Sequence, residues 1–453
     1  MQKKHTIDMT TGSISKKFIP FVIPLILTNL MQQLYTSADN AVVGRYVGQE
    51  ALAAVGATGY STNLILNLLI GLSIGSNIVN SNLLGSGDRQ GLHRSMHCAI
   101  PLAFVGGILI GCVGILLSPV MMTITNCPKN IEANAIKYMR IIFCGAPGTL
   151  IYNVGAGILR THGDSRRPLY IMIISGVTNV VLNLVFVVFC NMAVTGVAVA
   201  TLISKYLSAT LVMIILFNPK GEYRMQWHSL RMRKKEAWEI IRVGVPCGIN
   251  STVFSVSNTI VQSGLNNMGS TVVAGSVAAN STVNLIYQVQ AAIYTGCINF
   301  SGQCYGAGKY RRIDRVATFA LTVCISATVL ASTIITIFPE FFISIFNNDP
   351  AVIASGTQKI VFMCWSYVLY GISEVVMGCL RGMRQTTYPS LINIFCVCGI
   401  RVMWVLFVLP LSPMNQILLY ACYPISYVFS VSSLSIYYFR VRKKLLLQQP
   451  NAQ

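Results

Sequence analysis

The sequence predicts an all-α polytopic membrane protein with twelve transmembrane helices in two six-helix repeats. Three observations predict this fold class: an apolar composition, twelve apolar segments long enough to span a bilayer, and short motifs that recur at one constant offset. Because six is an even number of spans, both repeats enter the membrane in the same direction. A pseudo-two-fold axis along the membrane normal should relate them, with a central cleft between the two bundles.

Composition is the first observation. Of the 453 residues, 54% are hydrophobic and only 10% are charged, whereas a soluble globular chain carries about 25% charged residues. The net charge of +20 does not indicate nucleic acid as a partner, because the basic residues lie in short connections between apolar segments. The fourteen cysteines lack zinc-ligand spacing, so they are predicted to be packing residues, with no structural metal.

The apolar segments are the second observation. A transmembrane helix needs about 20 mostly apolar residues, and twelve segments satisfy this requirement. They cover about 18–42, 51–83, 94–117, 134–158, 168–190, 194–217, 240–265, 271–302, 315–338, 354–379, 388–410 and 415–439. The predicted organisation is an N-terminal tail, an N-terminal lobe, a linker, a C-terminal lobe and a C-terminal tail, which cover 1–17, 18–217, 218–239, 240–439 and 440–453.

The distribution of Lys and Arg predicts the orientation, because cytoplasmic connections are enriched in these residues. With the N-terminus inside, the even-numbered connections and the two tails hold 26 of the 33 Lys and Arg residues. On the opposite face, Arg45 and Lys129 are the clear exceptions. We therefore expect both termini in the cytoplasm.

The internal repeat is the third observation. Several short motifs recur 221 residues later: Gly48 as Gly269, Gly85-Ser-Gly87 as Gly306-Ala-Gly308, and Leu159-Arg160 as Leu380-Arg381. A shared offset in separate segments predicts a structural duplication. Two bundles with a seam between them are what alternating access requires.

Ionisable residues within the spans are candidates for function, because burying them in lipid is costly. Of the 13 acidic residues, only Asp39 and Glu374 fall inside apolar segments. Asn179 and Asn183 are four residues apart on one face of span five, and Thr201 lies near the outer end of span six. A carboxylate, two amides and a hydroxyl suit a hard cation such as Na⁺, or a relayed proton. These five residues are the predicted cation-coupling set.

Four of these five residues also have a plainer interpretation. Asp39 could be an interfacial residue just clear of lipid, and the two Asn residues could only join helices by hydrogen bonds. Glu374 could pair with Arg381 or extend toward the headgroups.

The motifs resemble those of a known family. The stretch from Asp39 to Gly44, the Gly-x-Gly after span two, and Leu159-Arg-Thr-His-Gly-Asp164 running to Pro168 occur in the order of the multidrug and toxic compound extrusion (MATE) family. The resemblance is to its bacterial DinF-like or MepA-like branch and covers about Lys16 to Arg440. It implies a two-lobed, twelve-helix secondary antiporter that expels organic cations and dyes while Na⁺ or H⁺ moves inward.

The resemblance also bears on single positions. The DinF-like branch has an Asp in span one, an Asn followed four residues later by an Asp in span five, and a Thr in span six. Asp39, Asn179 and Thr201 match this pattern, but Asn183 replaces the second Asp. The missing negative charge puts Na⁺ affinity in doubt and leaves proton coupling open. NorM-type relatives have coupling acids in spans seven and ten. Glu374 matches neither position, so it is a candidate only because it is an acid predicted to be buried within a span.

The substrate site is expected to be an apolar cleft with a few polar groups, which suits flat lipophilic cations. Its predicted lining residues are Gln32, Tyr35, Asn153, Met172 and Phe254. Asn153 is the repeat counterpart of Glu374.

The predicted function is therefore a multidrug efflux antiporter that exports lipophilic organic cations, dyes or drugs in exchange for inward H⁺ or Na⁺. It is expected to be a monomer in the bacterial cytoplasmic membrane, with the lipid bilayer and small molecules as partners, no cofactor besides the coupling ion, and no enzyme activity. The stretch from Gly302 to Tyr310 lacks the glycine spacing of an ATP-binding P-loop. A flippase for lipid-linked precursors and an exporter of one specific metabolite are the alternatives.

Overall fold

Every regular element in the described part of the chain is helical. The computed structural model describes residues 7–125, 127–218, 223, 225–346, 348–412 and 414–447, without the side chains of residues 49, 50, 52, 53, 57, 60, 61 and 130. Parts of the predicted tails and linker therefore lie outside the described residues.

The first half of the chain contains seven α-helices. They are α1 (Ile14–Val42), α2 (Gln49–Gly85), α3 (Arg89–Ile124), α4 (Lys129–Cys144), α5 (Ala146–Thr161), α6 (Arg166–Leu184) and α7 (Ala193–Leu216). Two π-helical turns, Val43–Val47 and Val185–Phe189, extend α1 and α6, and a 3₁₀ turn, Trp227–Ser229, lies in the predicted linker.

The second half contains nine α-helices. They are α8 (Lys234–Asn266), α9 (Ser270–Gly306), α10 (Tyr310–Ile337), α11 (Pro339–Ser344), α12 (Pro350–Gly382), α13 (Thr387–Asn393), α14 (Ile400–Met403), α15 (Gln416–Tyr420) and α16 (Cys422–Leu447). The segments between α13 and α15 include two π-helical stretches, Ile394–Gly399 and Trp404–Val408, and a 3₁₀ turn, Leu409–Leu411.

Each predicted span coincides with one helix or with consecutive helical segments, and the predicted fold class is confirmed. Within the described residues, ten helices are long and apolar enough to cross a membrane, or eleven if the bent pair α4–α5 counts as one span. The remaining predicted span, the eighth, is α9, which carries Asn, Gln, Ser and Thr residues among its apolar ones.

The backbone repeats at the predicted offset. Helices α2 and α9 each have 37 residues and start 221 positions apart. Gly48 (φ 113°) and Gly269 (φ 100°) precede them, and Gly87 (φ 74°) and Gly308 (φ 69°) follow them. Side chains disfavour positive φ, so glycine is the suitable residue at both copies of each turn.

The two repeats differ in their fourth span. In the second half this span is one continuous helix, α12, whereas its counterpart in the first half is divided at Gly145 into α4 and α5. The two pieces are bent by 41° relative to each other. The bend therefore belongs to the first half alone.

The chain forms two compact units. One comprises Ile23–Thr252 together with Ile7 and Asp8; the other comprises Met9–Val22 and the chain from Val253 onward. These units divide the chain within α1 and α8 rather than at the linker. The domain boundaries derived from the sequence stay predictions.

Glycine residues bring α2 and α8 together inside the first unit. Gly71 and Gly75 on α2 face Gly244 and Gly248 on α8, so a Gly-x-x-x-Gly pair on one helix meets a second pair on the other. A Cβ atom at position 71 would lie 2.3 Å from the backbone nitrogen of Gly248. Small residues permit this close approach of membrane helices.

Candidate functional site

The first compact unit contains an open cavity of about 580 Å³, which we call the N-lobe cavity. Side chains from α1, α2, α4, α5, α6 and α7 line it. Its volume falls within the range of about 300–1,000 Å³ that is typical of small-molecule pockets.

Most of the site residues that the sequence predicts lie at this cavity. Four of the five predicted substrate residues line its wall: Gln32, Tyr35, Asn153 and Met172. The coupling candidates Asp39 and Thr201 line it too, and the fully buried Asn179 and Asn183 contact them. Their roles in binding or coupling stay predictions.

Asp39, Asn183, Asn179 and Thr201 form a closed ring of hydrogen bonds, which we call the Asp39 ring. Asn183 Nδ2 donates to Asp39 Oδ1 (2.5 Å) and to Asn179 Oδ1 (3.1 Å). Asn179 Nδ2 donates to Thr201 Oγ1 (3.4 Å), and Thr201 Oγ1 donates to Asp39 Oδ2 (3.2 Å). The ring joins α1, α6 and α7. The two Asn residues thus do link helices: Asn183 joins α6 to α1 through Asp39, and Asn179 joins α6 to α7 through Thr201.

Local packing explains why Asp39 is buried, with only 7% of its side chain exposed. Beyond it, Val43 packs with Val187 and Val197 in an apolar cluster of buried valines. Asn179 and Asn183 lie one helical turn apart on α6, so both can reach toward α1 and α7. A buried carboxylate requires hydrogen-bond donors, and the ring supplies one to each carboxylate oxygen.

Lys205 is a residue of the cavity wall that the sequence prediction missed. It follows Thr201 by one turn of α7 and lines the N-lobe cavity with Asp39. Among the described residues, no carboxylate oxygen lies within the 4.0 Å of an ion pair with its amino group. The prediction considered only acids within the spans. A search for Lys and Arg in the same segments would have found this residue.

The cavity wall also holds polar atoms without partners. The hydroxyl oxygens of Thr62 and Ser204 make no hydrogen bond within the part of the chain that the structure describes, and both residues line the cavity. Both oxygens are buried in the wall, so the polar character of the cavity comes from other lining side chains, such as the amides of Gln32 and Asn153. With apolar residues such as Met172 beside them, the N-lobe cavity can bind a molecule with both polar and apolar parts.

The family is shown by sequence. The MatE family model matches residues 24–185 and 246–406, one match in each half of the chain. The chain belongs to the MATE family.

Relatives of known name support this assignment. The chain is 25% identical over 442 residues to the probable multidrug resistance protein YoeA of Bacillus subtilis, covering 95% of each chain. It is 25% identical over 388 residues to the probable multidrug resistance protein NorM of Thermotoga maritima, covering 85% of this chain and 83% of that one. A solved structure described as an outward-facing multidrug resistance MATE family transporter matches with a TM-score of 0.90 at 19% identity. The match covers 99% of this chain and 100% of that one. That last likeness concerns the fold alone.

In this MATE family member, Glu374 belongs to the second compact unit, whereas the Asp39 ring belongs to the first. It is a partly buried residue of α12 beside Tyr370 and Arg381. Arg381 donates hydrogen bonds to the hydroxyls of Tyr294 and Ser390. Tyr370 and Arg381 are thus polar neighbours of Glu374, and its coupling role stays a prediction.

Phe254, the fifth predicted substrate residue, is also in the second unit and is not among the cavity-lining residues. It packs against Arg401, whose guanidinium carbon lies 5.4 Å from the centre of the Phe254 ring. The same guanidinium lies 4.4 Å from the centre of Tyr423 and 5.0 Å from that of Tyr427. Aromatic faces that could attract a cationic drug are thus already in contact with a cation of the protein itself.

Proposed function

We propose that the chain is a secondary active efflux antiporter whose substrate and coupling ion share the N-lobe cavity. The observation that carries this proposal is the position of the Asp39 ring at the wall of a cavity of drug-binding size. Membership of the MATE family supports it, as do the names of the multidrug resistance relatives. Transport follows from alternating access of the cavity to the two sides of the membrane.

We further propose H⁺ as the coupling ion. Asp39 is the one carboxylate of the ring, and both of its oxygens accept hydrogen bonds, from the amide N–H of Asn183 and from the hydroxyl of Thr201. Because a hydroxyl can donate or accept, Thr201 can turn its hydrogen away and accept one from a protonated Asp39. The ring therefore offers Asp39 a hydrogen-bond partner in both of its protonation states.

Coupling requires that the proton and the substrate weaken each other's binding. A cationic group that approaches Asp39 and a proton compete for the same carboxylate, and this competition is reciprocal. The driving force is adequate, since one charge moving through 100 mV contributes about 2.3 kcal/mol and a tenfold ion gradient about 1.4 kcal/mol.

The test is transport in proteoliposomes that contain the purified protein, with a cationic dye such as ethidium as probe. A pH gradient and a Na⁺ gradient are imposed separately, and a protonophore collapses the first. We expect dye movement that follows the pH gradient and ignores Na⁺. Movement driven only by Na⁺ would contradict H⁺ coupling. No movement with either gradient would contradict dye export and favour a flippase for lipid-linked precursors or an exporter of one metabolite.

The proposed setting is the bacterial cytoplasmic membrane, with the protein a monomer and both termini in the cytoplasm. The concentration of Lys and Arg in the even-numbered connections and tails supports this orientation. The helices of membrane-spanning length support a multi-pass location.

Replacing Glu374 with Gln is expected to leave dye transport and its H⁺ dependence in place. Glu374 does not line the N-lobe cavity and lies beside the basic group of Arg381, so its charge has no part in the proposed competition. Initial transport rates at several pH gradients check this expectation. Transport that no longer responded to the pH gradient in this variant would place the coupling group at Glu374.

A further inference from the structure

The N-lobe cavity contains one acidic and one basic side chain among its lining residues, Asp39 and Lys205. Its other lining residues are uncharged apart from the ionisable hydroxyls of tyrosines. In a cavity that binds only cations, a lysine would repel the ligand, since like charges repel. The basic group therefore needs an explanation in terms of what the cavity binds.

Lys205 is held in place by the fold of the first half. Its aliphatic chain lies over the bend between α4 and α5, where a Cβ atom at Gly145 would be only 3.0 Å from Lys205 Cδ. Its carbonyl oxygen accepts a hydrogen bond from Ser208 Oγ (2.8 Å). The bend that leaves this space is absent from the equivalent helix α12, and the repeat counterpart of Lys205 is Ser426.

Lys205 and Asp39 attract each other electrostatically, but this attraction uses none of the N–H donors of the lysine. Both carboxylate oxygens of Asp39 already accept hydrogen bonds, from Asn183 and from Thr201. Within the described residues, no ion pair joins Lys205 to Asp39. In the part of the chain that the structure describes, the amino group of Lys205 makes no hydrogen bond, so its N–H donors are available to an anionic oxygen in the cavity.

We propose that Lys205 is an anion-binding subsite and that the N-lobe cavity selects zwitterionic molecules. Their carboxylate or other anionic oxygen binds Lys205, and their cationic group faces Asp39. The proposal rests on the proposed transport through this cavity and specifies its substrate class. It adds recognition of an anionic group to the lipophilic cation that the family resemblance implied.

The direction of exchange favours a zwitterion over a simple anion. Protonation of Asp39 removes a negative charge from the cavity, so it would strengthen the binding of a purely anionic molecule and oppose antiport. The same protonation removes the partner of a cationic group. A molecule with both charges is thus bound at Lys205 through its anionic group, and protonation of Asp39 weakens the binding of its cationic group and favours release.

A matched pair of dyes tests the proposal by binding, without transport. Rhodamine B carries a free carboxylate beside its cationic ring system, and its ethyl ester carries the cation alone. Dissociation constants are measured by fluorescence anisotropy with the purified full-length protein, for the wild type and for Lys205→Gln, Lys205→Met and Lys205→Arg. Thermal unfolding of each variant confirms that it is folded.

In Lys205→Gln and Lys205→Met we expect rhodamine B to bind about 10- to 100-fold more weakly, because a hydrogen-bonded charge is lost. These two variants should bind the ester as tightly as the wild type does, or more tightly. Lys205→Arg should bind rhodamine B about as tightly as the wild type does. Equal weakening of both dyes, unchanged binding of both, or no binding of rhodamine B by the wild type would overturn the proposal. If the binding difference holds but neither dye moves with an ion gradient, the subsite stands and the proposed transport fails.

Discussion

Asp39→Asn is expected to reduce H⁺-driven dye efflux to the background rate of liposomes without protein. The substitution keeps the shape of the side chain and its hydrogen bond from Asn183, and the hydroxyl of Thr201 can turn to accept from the new amide. What disappears is the negative charge and the ability to carry a proton. The fold should therefore persist while the exchange stops.

The measurement is the initial rate of dye movement under an imposed pH gradient, together with the dissociation constant of the dye and the thermal midpoint of unfolding. Glu374→Gln is the matched control, because it neutralises a carboxylate in the second compact unit. An Asp39→Asn protein that is folded and still exchanges dye for H⁺ would remove Asp39 from the coupling mechanism.

Gly71→Ala is expected to destabilise the protein strongly, although the added group is a single methyl. Its Cβ atom would lie 2.3 Å from the nitrogen and 2.4 Å from the Cα of Gly248, and 2.7 Å from the oxygen of Gly244. These are backbone atoms of α8 and cannot move as a side chain does. Overpacking usually costs about 1–3 kcal/mol, and we expect this site at or above the upper end, with a lower thermal midpoint and loss of a monodisperse preparation.

Gly56→Ala on the same helix is the matched control. A Cβ atom at Gly56 would meet no atom within 4 Å, so the change adds no clash. Alanine is more favourable than glycine within a helix by about 0.5–1 kcal/mol, which predicts an unchanged or slightly higher thermal midpoint. If Gly71→Ala were as stable as Gly56→Ala, the close crossing of α2 and α8 would not be important for stability.

The Asp39 ring shows how far the residues could be placed from the sequence. The four positions were nominated because Asp39 is an acid inside an apolar segment and because Asn179 and Asn183 lie on one face of a helix. Helical periodicity places side chains along one element only. That Asn183 Nδ2 donates to both Asp39 and Asn179, closing the ring, depends on how α1 and α6 pack and could not be derived from spacing.

Phe254 and Lys205 show where sequence reasoning ends. Phe254 is an aromatic residue in a span, like Tyr35, yet it packs on Arg401 while Tyr35 lines the N-lobe cavity. Residue type does not distinguish these two environments. Lys205 could have been noticed as a base within a span, but its place in the cavity wall and its contact with Gly145 at the bend of α4 and α5 depend on helix packing.

The sequence by itself determined the membrane class, the helical segments, the two repeats and the family, because hydropathy, charge distribution and a fixed offset are properties of the chain alone. Even the turns at Gly48 and Gly269 were marked by their recurrence. Only the tertiary structure decided which polar groups meet. Contacts such as Asn183 with Asp39, or Gly71 with Gly248, join residues more than a hundred positions apart. They depend on distances between helices, which the periodicity of a single helix does not encode.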